Sequence, residues 1–424
     1  MCKFLICIIF FFGFSSSTNA QFVIPDERVE EGVTIRAQPS SQSQNLGLLR
    51  PGERIPFDGA VARWNRVRLP NGNLAFLSKG WTDVIDDLAP GSFTIHAVDV
   101  GTGLAIVVEG EDFVLIYDGG SNDDTALGDE NRLIAYLRAA IPGLTNVDHL
   151  ILSHPHTDHV LFMADVIAEY AVGHVWDSGR LHDVCGYRAF LSGVASEPGV
   201  TYHNALGNFG THSATFVAKR CFGQNLPAET INVSEGARIG DSPVALGATG
   251  RMRFLHADGA QHSSPNENSV VVRLDLGLTR VLLMGDAEAG GRHPPSHDAD
   301  DDSIEGLLLD CCEAELKADI LVVGHHGSMT SSRSVFLDAV DADMFVVSSG
   351  PRRFGSVVLP DQEVITELEG RGTVFRTDTD DAACETELQK VGPDNDNEPG
   401  GCDNIQIRIA PDATISGAIV TITD

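Results

Sequence analysis

The segment Ser153-His154-Pro155-His156-Thr157-Asp158-His159 places three histidines and one aspartate close together. It follows directly on the apolar run Leu150-Ile151-Leu152. Neutral imidazoles and ionised carboxylates are ligands of divalent metal ions, and no other common type of site needs them packed so densely. We therefore interpret the segment as part of a metal centre, in preference to a polar turn after a strand.

Further candidate ligands stand directly after apolar runs that predict strands. Asp118 follows Leu115-Ile116-Tyr117, Asp286 follows Leu282 to Gly285, and the pair His325-His326 follows Ile320 to Gly324. Any one of them alone would more often be a capping aspartate or a surface histidine. Strands interleaved with helices, with polar residues at the strand ends, predict a layered α/β architecture in which several loops meet at one site.

The chain of 424 residues is too long for one ordinary domain. Residues 1–20 have the pattern of a signal peptide, with Lys3 in a short basic start, an apolar run from Phe4 to Phe14, and small residues at Thr18-Asn19-Ala20. The apolar run is too short to span a bilayer as a stable helix. We expect a secreted or periplasmic protein, with a retained anchor as the alternative.

The cysteines also point to export. Removal of residues 1–20 takes away two of the eight cysteines, and the even number that remains predicts disulfides in an exported protein. The expected pairs are Cys185–Cys221 and Cys384–Cys402. The adjacent Cys311 and Cys312 would then form a strained vicinal bridge or remain as two thiols.

The formal net charge of −31 limits the partners of the protein. Such a chain repels nucleic acids and anionic membranes over a Debye length, and the sequence has no basic patch with interleaved aromatic residues. The acidic runs at 298–302 and 394–398 are more typical of solvated loops than of a calcium site. The composition therefore disfavours extended nucleic acid and favours a small or uncharged substrate.

Residues 28–84 predict a small all-β unit. The segments Gly32 to Pro39, Leu49 to Glu53 and Trp64 to Val67, followed by a hairpin turn at 70–73, come in the order found in bacterial SH3-like domains. This region resembles that family. The resemblance implies a cell-wall peptide as a ligand.

The order Asp-Gly-Gly at 118–120, the histidine-rich segment at 153–159, Gly-Asp at 285–286 and His-His-Gly-Ser at 325–328 resembles the metallo-β-lactamase superfamily. Within it, the chain is most similar to the hydrolase domain of ComEC-type DNA-uptake proteins. The resemblance covers residues 92–424. It implies a four-layer αββα sandwich with one or two metal ions, zinc or else manganese, in the cleft between the sheets.

The resemblance and the ligand chemistry together suggest a role for each residue. His154 and His156 would bind one ion, Asp158 and His159 would bind a second, and Asp286 would bridge the two. The remaining roles are assigned as follows: His325 is the expected last ligand of the second ion, His326 is the competing choice and could instead act as a proton donor, and Asp118 would orient a ligand imidazole.

A third protein ligand for the first ion is harder to assign. His256 stands at about the place where many relatives carry a histidine, and a structural role for it is equally compatible with the sequence. His203, His212 and His262 are poorer candidates. Leu359 occupies a position where relatives often carry a further histidine.

Two functional hypotheses follow. The first is an exported metal-dependent hydrolase in which a metal-bound hydroxide attacks a phosphodiester or another ester-like bond. In it, Asp158 and His326 would bear most directly on catalysis. The alternative is a wall- or matrix-binding protein with a degenerate, non-catalytic metallo-β-lactamase fold. The metal content of the purified protein separates them, because a binding module would hold no stoichiometric metal.

Overall fold

The computed structural model describes residues 21–379 and 403–420, apart from residues 27, 30, 52, 54, 70, 71, 87–90, 207–209, 235, 237 and 241. The predicted signal peptide and the predicted Cys384–Cys402 pair lie outside these residues. The chain forms two compact units, residues 1–89 and residues 90–424. Each unit has its own apolar core and is described by itself.

The first unit is a single antiparallel sheet in the order β3-β2-β6-β5-β4-β1-β7 among the described residues. Val23, Val33, Leu49, Val67 and Leu77 form its buried core. The predicted all-β character is therefore present, and the sheet also includes a strand before residue 28. Its strands are β1 (Gln21–Pro25), β2 (Val33–Arg36), β3 (Asn45–Leu49), β4 (Ile55–Val61), β5 (Trp64–Arg68), β6 (Leu74–Ser78) and β7 (Thr82–Asp86).

The second unit contains two large mixed sheets. In its described part the first sheet has the order β13-β12-β11-β10-β9-β8-β27-β28, with parallel pairing from β10 to β13 and antiparallel pairing elsewhere. Its strands are β8 (Phe93–Ala97), β9 (Ile106–Glu109), β10 (Val114–Tyr117), β11 (Asn146–Ile151), β12 (Ala171–Trp176), β13 (Thr201–His203), β27 (Asn404–Ile409) and β28 (Ile415–Val420).

The second sheet repeats this arrangement, with the order β18-β19-β20-β21-β22-β23-β26 in the described part. Pairing is antiparallel up to β21 and parallel from β21 to β26. Its strands are β18 (Val244–Leu246), β19 (Gly250–His256), β20 (Val271–Leu276), β21 (Thr279–Leu283), β22 (Ile320–Val322), β23 (Met344–Val347) and β26 (Thr373–Arg376).

Short hairpins project from these sheets. Two of these strand pairs lie between β13 and β18 in the chain, and one lies between β23 and β26. Sequence periodicity did not predict them. They are β14 (Thr211–Phe216) with β17 (Glu229–Ser234), β15 (Lys219–Cys221) with β16 (Gln224–Leu226), and β24 (Arg353–Phe354) with β25 (Val357–Val358).

Helices cover the outer faces of both sheets. Asn131 begins the first helix by accepting a hydrogen bond from the Ile134 amide. No helix in the described residues is long and apolar enough to cross a membrane. The helices are α1 (Arg132–Ala140), α2 (Thr157–Val160), α3 (Met163–Glu169), α4 (Cys185–Ser196), α5 (Ile304–Cys312), α6 (Ser334–Val340) and α7 (Gln362–Glu369).

Alternating side chains of the strands produce four layers. Leu115 and Leu283 point into one shared core between the two sheets. Their neighbours Ile116 and Leu282 belong to two separate outer cores, one containing residues of α1, α3 and α4, the other residues of α5, α6 and α7. Strands buried on both faces read as continuous apolar runs, as in β10. The expected αββα sandwich is confirmed.

Two disulfides are present in the described part of the second unit. Cys185 pairs with Cys221, as predicted, and ties the start of α4 to the β15–β16 hairpin. Cys311 and Cys312 form the vicinal bridge at the end of α5, which resolves the two options that the sequence left open.

Candidate metal centre

Each of the four motifs follows a strand that pairs in parallel with the strand before one other motif. Asp118 follows β10, residues 153–159 follow β11, Asp286 lies just beyond β21, and His325 and His326 lie just beyond β22. β10 pairs with β11 and β21 pairs with β22 in parallel register, so within each pair the carboxyl ends lie side by side. The sandwich brings both pairs of strand ends to one cleft.

Asp118 organises the first of these loops. Its buried carboxylate accepts hydrogen bonds from the Ser153 amide at 2.7 Å, the Ser153 hydroxyl at 2.7 Å and His159 Nδ1 at 2.8 Å. Burial alone would lower the pKa of His159, but the Asp286 and Asp118 carboxylates raise it well above its ordinary value. Once the proton on Nε2 is lost, Nδ1 still donates to Asp118 and Nε2 carries the lone pair. An imidazole fixed in this tautomer is ready to bind a metal ion.

Gly120 allows the loop to approach the motif closely. A Cβ atom at this position would lie 2.5 Å from the Thr157 carbonyl oxygen and 2.6 Å from the His159 amide nitrogen. Such contacts are too short for any side chain, and backbone atoms cannot move aside cheaply. The Asp-Gly-Gly pattern is therefore explained by the packing of this loop against α2.

The candidate ligands form two groups, and Asp286, a member of the first, also contacts the second. The first consists of His154, His156 and Asp286, and the second of Asp158, His159 and His326; within each group the ligand atoms lie within 4.8 Å of one another. Asp286 Oδ2 lies 3.6 Å from His154 Nε2, whereas Oδ1 lies 3.2 Å from His159 Nε2. One carboxylate thus contacts both groups with different oxygens.

The adjacent histidines His325 and His326 have different environments. His326 Nδ1 donates to the Ser348 carbonyl at 2.9 Å, and its Nε2 lies 3.5 Å from Asp286 Oδ1 and 3.7 Å from Asp158 Oδ2. His326, which the sequence left as the competing choice, is therefore the histidine of this pair that belongs to the second group.

His325 lies on the other side of Asp286. Its Nδ1 is 2.6 Å from Thr330 Oγ1 and 2.9 Å from Glu288 Oε1, and its Nε2 is 3.8 Å from Asp286 Oδ2. It belongs to neither three-residue group. Both histidines have left-handed backbone conformations, with φ of 47° at His325 and 54° at His326, which turn consecutive side chains to opposite sides of the carboxylate.

Unpaired buried atoms test whether these residues suit a cation. Among the described residues, His159 Nε2, His326 Nε2 and Asp286 Oδ1 are buried and have no hydrogen-bond partner. Leaving a buried polar atom unsatisfied costs about 1–3 kcal/mol. Three electron-pair donors without partners that converge on one point fit a divalent cation, which would satisfy all of them.

The charges of the site are tightly coupled. Burial on its own would raise the pKa of Asp286, but the imidazoles of His159, His326 and His325 hold it well below its ordinary value. Burial lowers the pKa of His154 strongly, and the neighbouring His159 ring adds to this effect. An ionised carboxylate beside a neutral imidazole is the donor set that a metal ion requires.

Residues 98–350 match the family model of the metallo-beta-lactamase superfamily. The chain belongs to this superfamily. It is 25% identical over 252 residues to competence protein ComA of Neisseria gonorrhoeae, covering 59% of this chain and 26% of that protein. It is also 25% identical over 263 residues to recombination protein 2 of Haemophilus influenzae, covering 62% and 25%. The chain thus spans about a quarter of the length of these curated relatives.

A solved structure of the superfamily is also similar to this chain. It is the metallo-beta-lactamase fold protein YhfI from Bacillus subtilis, at 12% identity and a TM-score of 0.38, covering 68% of this chain and 97% of that one. Proteins of this fold are generally hydrolases. The likeness to ComA and recombination protein 2 agrees with the ComEC-type resemblance of the metallo-β-lactamase domain.

The candidate third ligands of the first ion lie elsewhere in the metallo-β-lactamase domain. His256 Nδ1 donates to the Ser269 carbonyl at 2.7 Å, and this residue belongs to neither group. His262 pairs with Asp258 and Glu267. His203 stacks on Trp176, and His212 lies beside the ring of Tyr202. None of these four residues is in a ligand group of the described structure.

Sequence reasoning missed one residue beside the site. The ring of His182, in the loop between β12 and α4, lies edge-on to the ring of His156 with 5.5 Å between centroids. His182 is half-buried. His182 is not spaced from another candidate ligand in the way that metal ligands usually are. The sequence offered one signal, its position three residues before Cys185, which forms the predicted disulfide.

Proposed function

We propose that this protein is an exported metal-dependent hydrolase that acts on a phosphodiester or another ester-like bond. The observation that carries the proposal is the position of Asp286, whose Oδ2 faces His154 of the first group and whose Oδ1 faces His159 of the second. Binuclear centres that clamp an attacked group between two ions use such a bridge.

Each candidate ligand has a proposed position at one of the two ions. His154 and His156 would hold one ion, His159, Asp158 and His326 would hold the other, and Asp286 would contact both. Bound ions would supply activated water at neutral pH and stabilise negative charge on the attacked group. Zinc fits the imidazole-rich set, and manganese is the second choice.

The residues around the ligands have supporting roles. Asp118 fixes the ring of His159 so that Nε2 faces Asp286. His325 is half-buried, and its Nδ1 contacts Thr330 Oγ1 and the carboxylate of Glu288. Although burial lowers it, the neighbouring Asp286 and Glu288 carboxylates raise the pKa of His325 overall. We assign it the delivery of a proton from Nε2 to the leaving group.

Several features support export and the choice of bond. The signal-peptide pattern and the Cys185–Cys221 disulfide favour an oxidising compartment outside the cytoplasm. The relatives are by name a competence protein and a recombination protein, which favours a phosphodiester. The net charge of −31 favours a small substrate over an extended polymer. A cell-wall ligand of the first unit completes the proposal.

The test is turnover of bis-p-nitrophenyl phosphate by metal-loaded protein. Replacement of His156→Ala with Asp158→Ala removes a donor from each group and should reduce turnover on the order of a thousand-fold, with the fold retained. A matched control is His293→Ala with His297→Ala, an exposed stacked pair of imidazoles outside the site, which should have no effect.

Two outcomes would contradict the proposal. Unchanged turnover in the double ligand variant would refute the catalytic assignment. Purified protein that binds neither zinc nor manganese in stoichiometric amounts would favour the alternative of a non-catalytic wall- or matrix-binding protein.

A further inference from the structure

The loop between β12 and α4 lies directly on the metal-binding segment. His182 in this loop contacts the ring of His156. Four residues further on, Gly186 packs so tightly against α2 that a Cβ atom there would lie 2.9 Å from Val160 Cγ1. The His182 side chain of this loop is therefore placed beside the first ligand group.

The β15–β16 hairpin is fastened to the same loop. Cys221 of the hairpin forms a disulfide with Cys185, and Lys219 Nζ bonds the Asp183 carbonyl and lies 3.0 Å from Asp183 Oδ1. Asp183, which Lys219 contacts, is the residue directly after His182 in the chain. The covalent link thus holds a cation next to His182.

Arg180 and His182 have polar groups without partners. Both residues are half-buried. Among the described residues, the guanidinium of Arg180 and the ring nitrogens of His182 have no hydrogen bond or ion pair, and Arg180 bonds Ser178 only through its backbone amide. Half-buried polar groups of this kind are satisfied by water or by a ligand.

The local charge is opposite to that of the whole chain. The loop at residues 177–184 and residues 219–221 together contain three basic and two acidic residues, a net charge of +1, in a protein with a net charge of −31. Charges interact strongly within a Debye length of about 8 Å and weakly beyond it. This region can therefore attract a small anion, whereas a long polyanion would also meet the acidic remainder of the surface.

We propose that Arg180 and Lys219 form a cationic lip which, together with the imidazole of His182, binds an anionic oxygen of the substrate beside His156. The substrate class is then a small ester with a negative charge next to the bond that is broken, such as a phosphodiester. This inference rests on the proposed function and specifies its substrate. The Cys185–Cys221 disulfide keeps the lip in place.

The experiment compares a charged and a neutral ester on the full-length, metal-loaded protein. Lys219→Met should raise the KM for anionic bis-p-nitrophenyl phosphate about tenfold, as loss of one charge-assisted contact does. Its kcat should stay within about twofold. Adding Arg180→Met should raise that KM further. The KM for neutral p-nitrophenyl acetate should not change in either variant.

Two further variants separate anion binding from a structural role. Asp183→Asn breaks the same ion pair as Lys219→Met but removes a negative charge, so it should leave the KM for the diester unchanged or lower it. Lys219→Arg keeps the charge and should restore the wild-type KM. The matched control is Lys317→Met. It breaks an exposed lysine–aspartate pair that lies beside the second sheet, away from the lip.

Each remaining outcome is decisive. Equal rises in KM for both esters, or a rise in Asp183→Asn as large as that in Lys219→Met, would show that the pair only holds the loop and would overturn the inference. An active wild type whose KM is the same in all variants would also overturn it and leave the proposed function intact. A wild type that hydrolyses neither ester would refute the proposed function, and this inference with it.

Discussion

At the scale of single residues, the assignment of His325 and His326 depends on where their Nε2 atoms lie relative to Asp286 and the other ligands. His326 donates to the backbone carbonyl of Ser348, which can only accept, so its Nε2 is a lone-pair donor facing Asp286. His325 bonds a carboxylate and a hydroxyl instead. Both Nδ1 atoms face acceptors, so the difference lies at Nε2. His326 belongs to the second ligand group, whereas His325 belongs to neither group and is the ring that we assign to proton transfer.

This difference gives a prediction for two matched variants. His326→Gln should remove a ligand of the second ion and reduce the bound metal from about two ions to about one per chain, with affinity for the lost ion reduced by at least 10–100-fold. His325→Gln should keep both ions and lower kcat for bis-p-nitrophenyl phosphate about 100-fold. Metal analysis after dialysis measures the first effect. Loss of metal in the His325 variant alone would reverse the two assignments.

The sequence predicted most of the candidate site because its ligands lie in short motifs. Residues 153–159 hold four donors on one loop, so few backbone conformations can separate them. The choice between His325 and His326 required the backbone, because two consecutive left-handed residues decide on which side of Asp286 each ring lies. His182 was missed because a remote disulfide and loop packing, and no sequence spacing, bring it to His156.

At the scale of elements, α5 supports the loop that follows the histidine pair. The carboxylate of Glu305 is buried and accepts hydrogen bonds from the backbone amides of Ser332 and Arg333. Ser332 has a φ of 61°, a left-handed conformation that these bonds help to hold. Burial raises the pKa of Glu305 from 4.5 to about 7, although the two amides and the Arg333 charge act in the opposite direction.

The raised pKa of Glu305 predicts a pH-dependent stability. Between about pH 5 and 7 the folded protein holds a proton that the unfolded chain does not, so this carboxyl stabilises the fold at low pH and the effect is lost as pH rises through 7. The size is at most about 3 kcal/mol. Glu305→Gln cannot titrate. Its free energy of unfolding should therefore decrease relative to that of the wild type as the pH falls from 8 to 5, because the variant lacks the stability that the protonated carboxyl adds.

Urea unfolding of metal-free protein at both pH values measures this difference. Metal-free protein is used because the ligands of a bound ion also exchange protons. Glu363→Gln, on the exposed side of α7, provides the control and should track the wild type at each pH. A Glu305→Gln curve parallel to that of wild type would show that the carboxyl is ionised throughout.

The sequence predicted the elements whose pattern is set by burial. Runs such as Val114–Tyr117 and Ile320–Val322 are apolar throughout because both faces of a central strand are covered. The β14–β17 hairpin was not predicted, since the buried side of Thr211–Phe216 carries a histidine and an alanine beside one aromatic residue. Only its packing in the folded protein shows that these residues face inward.

At the scale of the whole molecule, the two compact units differ in what they contribute. Every residue of the two ligand groups, between His154 and His326, belongs to the second unit, and so does the cationic lip. The second unit has three apolar cores of its own, and the first has a separate small core. Chemistry and any wall binding are therefore expected to be separable properties.

Deletion of residues 21–84 from the mature chain tests this separation. The second unit should fold by itself and keep kcat and KM for bis-p-nitrophenyl phosphate within about twofold of the intact protein, because a domain with its own core retains its internal geometry. Thermal unfolding of the shortened protein provides the control for folding. A folded but inactive product, or one with a KM raised more than about tenfold, would mean that the first unit shapes the binding of small substrates and is more than a tether.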